Sequence, residues 1–371
     1  MRIGLCYDLK QDYLAMGFSE EESLEFDSPA TIDGLEAAIR ACGHEVDRIG
    51  QVRALAARLA AGERWDLVFN ICEGVRGFGR EAQVPALLEA FGVPCTFSDA
   101  LVCALTLHKG MTKHVLRDQG IPTPDFLLVE HERDLARFEG AWRLGWPVFA
   151  KPVAEGTSKG IGADAKARNP EELRGVVGRL LRQFGQPVLI EAFLPGRELT
   201  VGVVGTGERA RALLPMEVLL QPGADQEIYT WGNKERWQGR VCYRLIGPRG
   251  AKLVPTPEVG RNMPPAPFQE DEALAREAME LALRTWRGLG CRDGGRVDLR
   301  ADAEGRLHVL EVNPLPGLNP NHSDLPILAG NQGITYRDLI ALVLESAFAR
   351  VPLPARDGGA GARAEAALAA R

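Results

Sequence analysis

The stretch "GGRVDLRADAEGRLHVLEVNPLPG", residues 294–317, restricts the fold more than any other part of the chain. Two apolar runs flank a polar turn, and the second run stops on Pro314, Pro316 and Gly317. That pattern predicts an antiparallel hairpin that cannot extend past Asn313. With the loop read as Asp302 to Gly305, Ala301 sits opposite Arg306, Arg296 opposite Glu311, and Asp298 opposite Val309. Side chains alternate with a period of two, so Arg296, Asp298, Glu311 and Asn313 all project from one face. Asp298 and Glu311 become diagonal neighbours, roughly 7–8 Å apart at the backbone. Carboxylates that close repel unless a cation lies between them, and all-oxygen ligands suit Mg²⁺. A solvent-facing polar strand is the plain alternative. The joint occurrence of an Arg-x-Asp strand, a Glu-x-Asn strand and a proline–glycine exit favours a metal site facing a cleft.

A second chemical signal lies in "VFAKPVAEGTSKGIG", residues 148–162. Lys151 interrupts an apolar strand, so its ammonium must reach a polar pocket or lose its charge. The loop that follows holds Gly156, Gly160 and Gly162 with the hydroxyls of Thr157 and Ser158, a composition suited to close approach by phosphate oxygens. A glycine-rich loop alone is often only a turn. This one matches neither the P-loop nor the dinucleotide fingerprint. In "VLIEAFLPGRELTV" Glu191 ends one apolar run and Glu198 begins the next. Two arrangements suit it: a hairpin with solvated carboxylates, or a purine slot lined by Glu191 to Leu194 with Glu198 accepting from ribose hydroxyls.

The chain begins with a strand, "RIGLCYD", and a helix opened by Ser28 and Pro29, followed by the strand "DLVFNI" and a helix ended by Gly92. Strand–helix–strand–helix order predicts a parallel α/β domain over 1–100. A helix stopped by Gly120 then precedes the two segments above, with a further helix over 170–184. "EDEALAREAMELALRTWRGLG" and "YRDLIALVLESAFAR" read as the last helices. The tail over 354–371 lacks an apolar face large enough to dock, and disorder is expected there.

Composition narrows the function classes. The 371 residues are 45% hydrophobic and 25% charged with a net charge of -6, which suits a multidomain globular protein. There is no basic cluster or aromatic-basic stripe, which sets nucleic acid aside. No apolar run approaches a membrane span. Seven scattered cysteines with no C-x-x-C pair, no signal peptide, and no zinc-type histidine spacing point to a cytoplasmic protein with reduced thiols.

Six motifs then stand in one order: "HKGMTK", "AKPVAEGTSKG", "IEAFLPGREL", "GNKERW", "GGRVDL" and "LEVNPLPGLNPNHSDLP". Together they resemble the ATP-grasp superfamily and, within it, the D-alanine–D-alanine ligases, over about Phe97 to Leu344. The resemblance implies an α/β and α+β architecture. A parallel pre-ATP-grasp domain (1–100) would precede the two ATP-grasp subdomains (101–205 and 206–353). It implies ATP and two Mg²⁺ ions (Mn²⁺ as a substitute), small amino-acid substrates and a homodimer. By resemblance, Lys109, Lys151 and Lys234 contact nucleotide phosphates, and Gly156, Thr157 and Ser158 close over them. Glu191, Leu194 and Glu198 hold adenosine. Asp298, Glu311 and Asn313 ligate the metals. Arg296 stabilises charge on the reacting carbonyl, with Lys234 and Ser158 also at the chemistry. Gly317 and Ser323 hold the second substrate's carboxylate. The polar stretch 222–239, with Trp231 and Trp237, reads as a lid over a water-sensitive acyl phosphate, or as a long loop.

The first-substrate region departs from the family. The short glycine-containing loop after the first strand is replaced by the longer "YDLKQDYLAMGFSEEESLEFDS", with Glu25 the nearest candidate for the family's glutamate. The His-Gly pair becomes Glu73-Gly74, Glu235 replaces a tyrosine, and "PGLNPNHSDLP" is about one residue longer. The expectation is an ATP-dependent carboxylate–amine ligase. It acts on the family's substrates, or on another amino acid, dipeptide or basic acyl donor in specialised metabolism. A nucleotide-binding regulator that has lost catalysis and a phosphotransferase on the same fold are the rival classes.

Overall fold

The computed structural model describes residues 1–138, 144–220, 241–251, 253–257 and 266–351. The expected lid over 222–239, with Lys234 and Glu235, and the tail over 354–371 lie outside the described residues. Three sheets carry the rest. β1 (Arg2–Cys6), β2 (Glu45–Gly50) and β3 (Leu67–Asn70) are parallel in the order β2-β1-β3. Helix Pro29–Ala41 crosses from β1 to β2. It starts where the Ser28 hydroxyl accepts the Thr31 N–H at 3.3 Å, and it buries Ile32, Leu35 and Ile39. Sequence reading passed over β2 and the helix Val52–Ala60. "EVDRIG" carries three charges and is only half buried, so its apolar signal is weak.

The second sheet is antiparallel, in the order β4-β7-β5-β6, from β4 (Phe126–Val129), β5 (Val148–Pro152), β6 (Lys166–Ala167) and β7 (Val188–Ala192). Helix Pro170–Phe184 covers it, packing Leu173, Val176 and Leu180 against Val148, Ala150 and Ile190. Asn169 accepts from the Glu171 and Glu172 N–H groups at one end, and Gly185 in the left-handed conformation ends the other.

The third sheet has seven strands in the order β12-β11-β10-β8-β13-β14, with β9 paired to β8. They are β8 (Glu198–Val204), β9 (Arg211–Ala212), β10 (Met216–Leu220), β11 (Val241–Gly247), β12 (Phe268–Glu270), β13 (Gly294–Ala301) and β14 (Leu307–Asn313). One face lies under helix Glu272–Leu289, where Leu281 and Trp286 meet Val201, Val297 and Leu299. The other shares a core with the N-terminal sheet: Ile32 and Leu35 join Leu213, Met216, Leu325 and, from the last helix Tyr336–Phe348, Leu339 and Val343.

Two local expectations need correction. β7 and β8 do not form a hairpin, because β7 pairs with β4 and β5 while β8 pairs with β10 and β13. Glu191 and Glu198 therefore end up on different sheets that face each other. The β13–β14 register also differs, with Ala301 opposite Leu307 and Leu299 opposite Val309. Asp302 is the cause. Its Oδ1 accepts from the Glu304 and Arg306 N–H groups at 3.0 and 2.9 Å, drawing Arg306 into the turn. That shift alone would place Asp298 opposite Leu310. A bulge beside Leu299 absorbs one more residue and restores the parity, so Asp298 pairs directly with Glu311 and Arg296 with Asn313.

Candidate active site

The four polar residues of β13 and β14 share one face, and their contacts lie along it. Asp298 Oδ1 accepts from Thr200 Oγ1 at 2.7 Å, and its Oδ2 accepts from Asn313 Nδ2 at 3.2 Å. Arg296 Nη2 stands 3.4 Å from Asp298 Oδ2, and Arg296 Nη1 donates to Asp324. Burial pushes the Asp298 carboxyl up to about 6; Arg296 opposes that rise and Glu311 adds to it. Two carboxylates directly opposed across an antiparallel pair, one of them with raised proton affinity, gain most from a cation. The donor set of Asp298, Glu311 and the Asn313 carbonyl is oxygen-only, which fits Mg²⁺. Among the described residues, no three His, Cys, Asp or Glu side chains converge on one point, so the amide is needed to complete such a set.

Lys109 opens helix Lys109–Asp118 and joins two parts of the site. Its Nζ donates to the Glu155 carbonyl at 2.6 Å and lies 3.5 Å from Glu311 Oε2. One turn further, Lys113 points the same way, four residues being a single helical face. Glu191 on β7 receives Lys113 Nζ at 2.5 Å and Lys151 Nζ at 2.8 Å, all three side chains being buried. Burial alone would raise the Glu191 pKa, but the two lysines outweigh it and hold the carboxyl below the usual range. Burial also lowers the Lys113 ammonium to about 8. Glu198 accepts from Arg300 Nη1 at 2.8 Å. Sequence reading missed Lys113, although its spacing from Lys109 was visible.

The glycine-rich loop runs from β5 toward β6. Thr157 and Ser158 both take positive φ, 49° and 57°, a conformation uncommon for any residue but glycine and most strained for the β-branched Thr157. The Gly156 N–H donates to Glu25 Oε1 at 2.6 Å, and a Cβ there would sit 2.4 Å from that oxygen. Glu25 is in turn held by Arg80 Nη2 at 2.8 Å and Lys159 Nζ at 3.2 Å. Burial works to raise its pKa, yet those two cations keep it lowered. The N-terminal insertion thus reaches the glycine-rich loop through Glu25. Gly74, at φ 67°, lies so close to the Arg80 carbonyl that a Cβ would come within 2.5 Å, and its N–H donates to buried Asp8 at 2.9 Å. This turn fixes Glu73.

These residues line two adjoining cavities. The first is bordered by Lys109, Lys151, Gly156, Thr157, Ser158, Glu191, Leu194, Glu198, Arg296, Asp298 and Glu311. It therefore gathers the expected nucleotide set, apart from Lys234 outside the described residues. The second, of about 620 Å³, is bordered by Glu25, Glu73, Asn313, Gly317 and Ser323, with Asp27, Glu81 and His322. Lys109, Gly156, Thr157, Arg296, Glu311 and Asp324 border both. Arg80, Glu81, Lys159 and Asp324 carried no spacing signal; only the fold brings them here. Ser323 Oγ accepts from the Asn319 N–H at 2.9 Å and lies 2.9 Å from a Cβ built on Gly317, so the two expected residues are neighbours.

A cavity between two facing sheets, opening past a carboxylate pair into a second cavity, is the arrangement that the resemblance to the ATP-grasp fold implies. The family model described as D-ala D-ala ligase C-terminus matches residues 115–242 and 259–345. D-alanine–D-alanine ligase B of Chromobacterium violaceum is 34% identical over 284 residues, 76% of this chain and 81% of that protein. A D-alanine–D-alanine ligase of Bordetella petrii is 32% identical, covering 82% of each. An uncharacterised Sinorhizobium fredii protein, y4sG, is 31% identical over 86% of this chain and 87% of its own length. In fold, the chain matches the Bacillus anthracis D-alanine–D-alanine ligase complexed with ATP, with a TM-score of 0.67 at 21% identity over 94% and 98% of the two chains. It matches the VanG D-Ala:D-Ser ligase of Enterococcus faecalis with a TM-score of 0.67 at 18% identity over 93% and 99%. The chain belongs to the D-alanine–D-alanine ligase family. It is an ATP-dependent ligase that forms a peptide bond.

Proposed function

We propose that the protein activates the carboxylate of one small amino acid as an acyl phosphate and transfers it to the amine of a second. The observation that carries this reading is the shared border of the two cavities, where Lys109, Arg296 and Glu311 stand between nucleotide and substrate space. In the first step a carboxylate oxygen of the donor bonds to the γ-phosphorus as the bond to ADP breaks. In the second, the acceptor nitrogen bonds to the acyl carbon, phosphate leaves, and the nitrogen gives up a proton. Lys109 and Lys151 balance phosphate charge, and the loop at Gly156, Thr157 and Ser158 excludes water. Leu194 and Glu191 face the base, and Glu198 the ribose. Arg296 meets the negative charge that grows on the reacting carbonyl, the kind of preorganised donor that supplies most of the rate in such sites. Asp298, Glu311 and Asn313 would hold Mg²⁺, or Mn²⁺, which would draw charge from the phosphoryl oxygens. Lys234, outside the described residues, would add a further contact to the phosphates in this reading.

Two of the three relatives are named for D-alanine, and D-alanine is the first substrate to test. The carboxylates Glu73 and Glu25 at the substrate cavity favour a second reading, a ligase for another amino acid or dipeptide pair in specialised metabolism. We further propose a cytoplasmic homodimer. We also propose domain divisions near residues 100 and 353 and, because β7 and β8 belong to different sheets, a third between Ala192 and Glu198 instead of at 205. The deciding experiment is ADP release with Mg²⁺ and ATP, first with D-alanine alone, then with a panel of D- and L-amino acids and dipeptides. Glu311→Ala is expected to abolish ADP release while the circular dichroism spectrum and melting curve stay intact; full turnover in that variant overturns the metal assignment. Light scattering at micromolar protein tests the dimer.

A further inference from the structure

The substrate cavity is uneven in charge. Its C-terminal side carries Arg296, Glu311 and Asp324 beside Gly317, Asn319 and Ser323, whereas its N-terminal side carries the acids Glu25, Asp27, Glu73 and Glu81. Arg80 is buried among them. Its Nη2 is paired with Glu25 at 2.8 Å, and its Nη1 donates to the Glu73 carbonyl at 2.9 Å and to Glu73 Oε2 at 3.4 Å. Glu81 Oε1 stands 3.7 Å from Nη2. Lys159 does not make up the difference, since it is divided between Glu25 and Glu155 at 3.2 and 2.8 Å. Lys10, at the rim, is paired with Glu20 at 2.7 Å. Glu81 is nine-tenths buried, borders the cavity and is hydrogen-bonded to Glu73, with the Arg80 guanidinium 3.7 Å away.

We propose that the substrate lodged at this N-terminal end is an amino acid with a cationic side chain, whose ammonium is received between Glu73 and Glu81. This deepens the ligase reading and rests on it. Buried carboxylates that outnumber their counter-cations, here Arg80 and Lys159, are costly, and an incoming ammonium offsets that cost where a neutral methyl does not. Burial holds the Glu73 carboxyl well above the usual range and raises Glu81 to about 7, Glu25 adding to both rises. Lys109, on the border shared with the nucleotide pocket, draws the donor carboxylate toward that border. The donor then spans the cavity, with its carboxylate at Lys109 and Arg296 and its side-chain ammonium at Glu73 and Glu81. The Gly74 turn and its bond to Asp8 keep Glu73 facing inward.

The test compares charged donors with their neutral isosteres in the full-length protein with ATP and Mg²⁺. D- and L-lysine and ornithine are set against norleucine and norvaline, with alanine and glutamate as further arms. The expected result is a KM at least tenfold lower for a cationic donor than for its isostere. Glu81→Gln and Glu73→Gln should each raise that KM on the order of tenfold, about the worth of one charge-assisted hydrogen bond, with the KM for ATP unchanged. Equal KM values for lysine and norleucine, preference for alanine or glutamate, or indifference to both substitutions overturns the proposal and leaves the ligase reading standing. If no donor releases ADP, the ligase reading fails. Calorimetric titration of lysine and norleucine then decides this inference separately, with tighter lysine binding supporting it and equal or absent binding overturning it.

Discussion

Glu191 carries its charge among buried side chains, between Lys113 at 2.5 Å and Lys151 at 2.8 Å. It is the largest opposite charge acting on each ammonium. Removing it leaves uncompensated buried cations. Glu191→Gln is expected to lower stability by about 3–5 kcal/mol and to weaken ATP binding as Lys151 relaxes or loses its proton. Urea denaturation and nucleotide titration measure the two effects, and an unchanged midpoint would remove the clamp from this account. Lys151 was legible in the sequence because a lysine inside an apolar strand demands a partner. The identity of that partner was not, since β5 and β7 meet only in the sheet.

At the scale of elements, chemistry local to the chain was the most readable. Helix Pro170–Phe184 has the expected bounds because Asn169 and Pro170 open it and Gly185 ends it, all within one stretch. Asn169→Ala removes the acceptor for two N–H groups, and a loss of about 0.5–2 kcal/mol is expected in urea or thermal unfolding. The hairpin illustrates the opposite case. Its shared polar face was legible from the two-residue period, but the Asp302 turn and the bulge each moved the register by one residue. The two shifts together preserved the face while changing every pair. Helix Asp324–Asn331 escaped notice because Pro326 falls in its first turn, where proline is tolerated but reads as a breaker.

On the scale of the molecule, Asp293 joins segments far apart in sequence. It is fully buried at φ 64°, and its carboxylate accepts from the Phe97 N–H at 2.7 Å, Thr206 Oγ1 at 3.0 Å and Ser346 Oγ at 2.8 Å, with Arg350 paired to it. The end of the N-terminal sheet region, the large sheet and the last helix are therefore tied at one residue. Asp293→Ala is expected to cost about 3–5 kcal/mol in urea unfolding, because Arg350 and three donors lose their acceptor together. Asp293→Asn should cost less, as asparagine accepts the left-handed backbone and keeps one carbonyl oxygen. Equal losses in the two variants would assign the effect to the lost charge facing Arg350 and not to the backbone conformation.

The sequence by itself determined the chemical inventory: a polar face with two carboxylates and an amide, a lysine inside an apolar strand, a glycine-rich loop, and six motifs in one order. These follow from periodicity and local stereochemistry, which act over a few residues. Only the tertiary structure decided the partners. The joining of Glu25 to Gly156, Lys113 to Glu191, Arg296 to Asp324, and Arg80 to a ring of acids depends on which sheets face each other. The charge of the substrate cavity is set there, because an ion's environment is fixed by everything within a few ångströms and not by its neighbours along the chain.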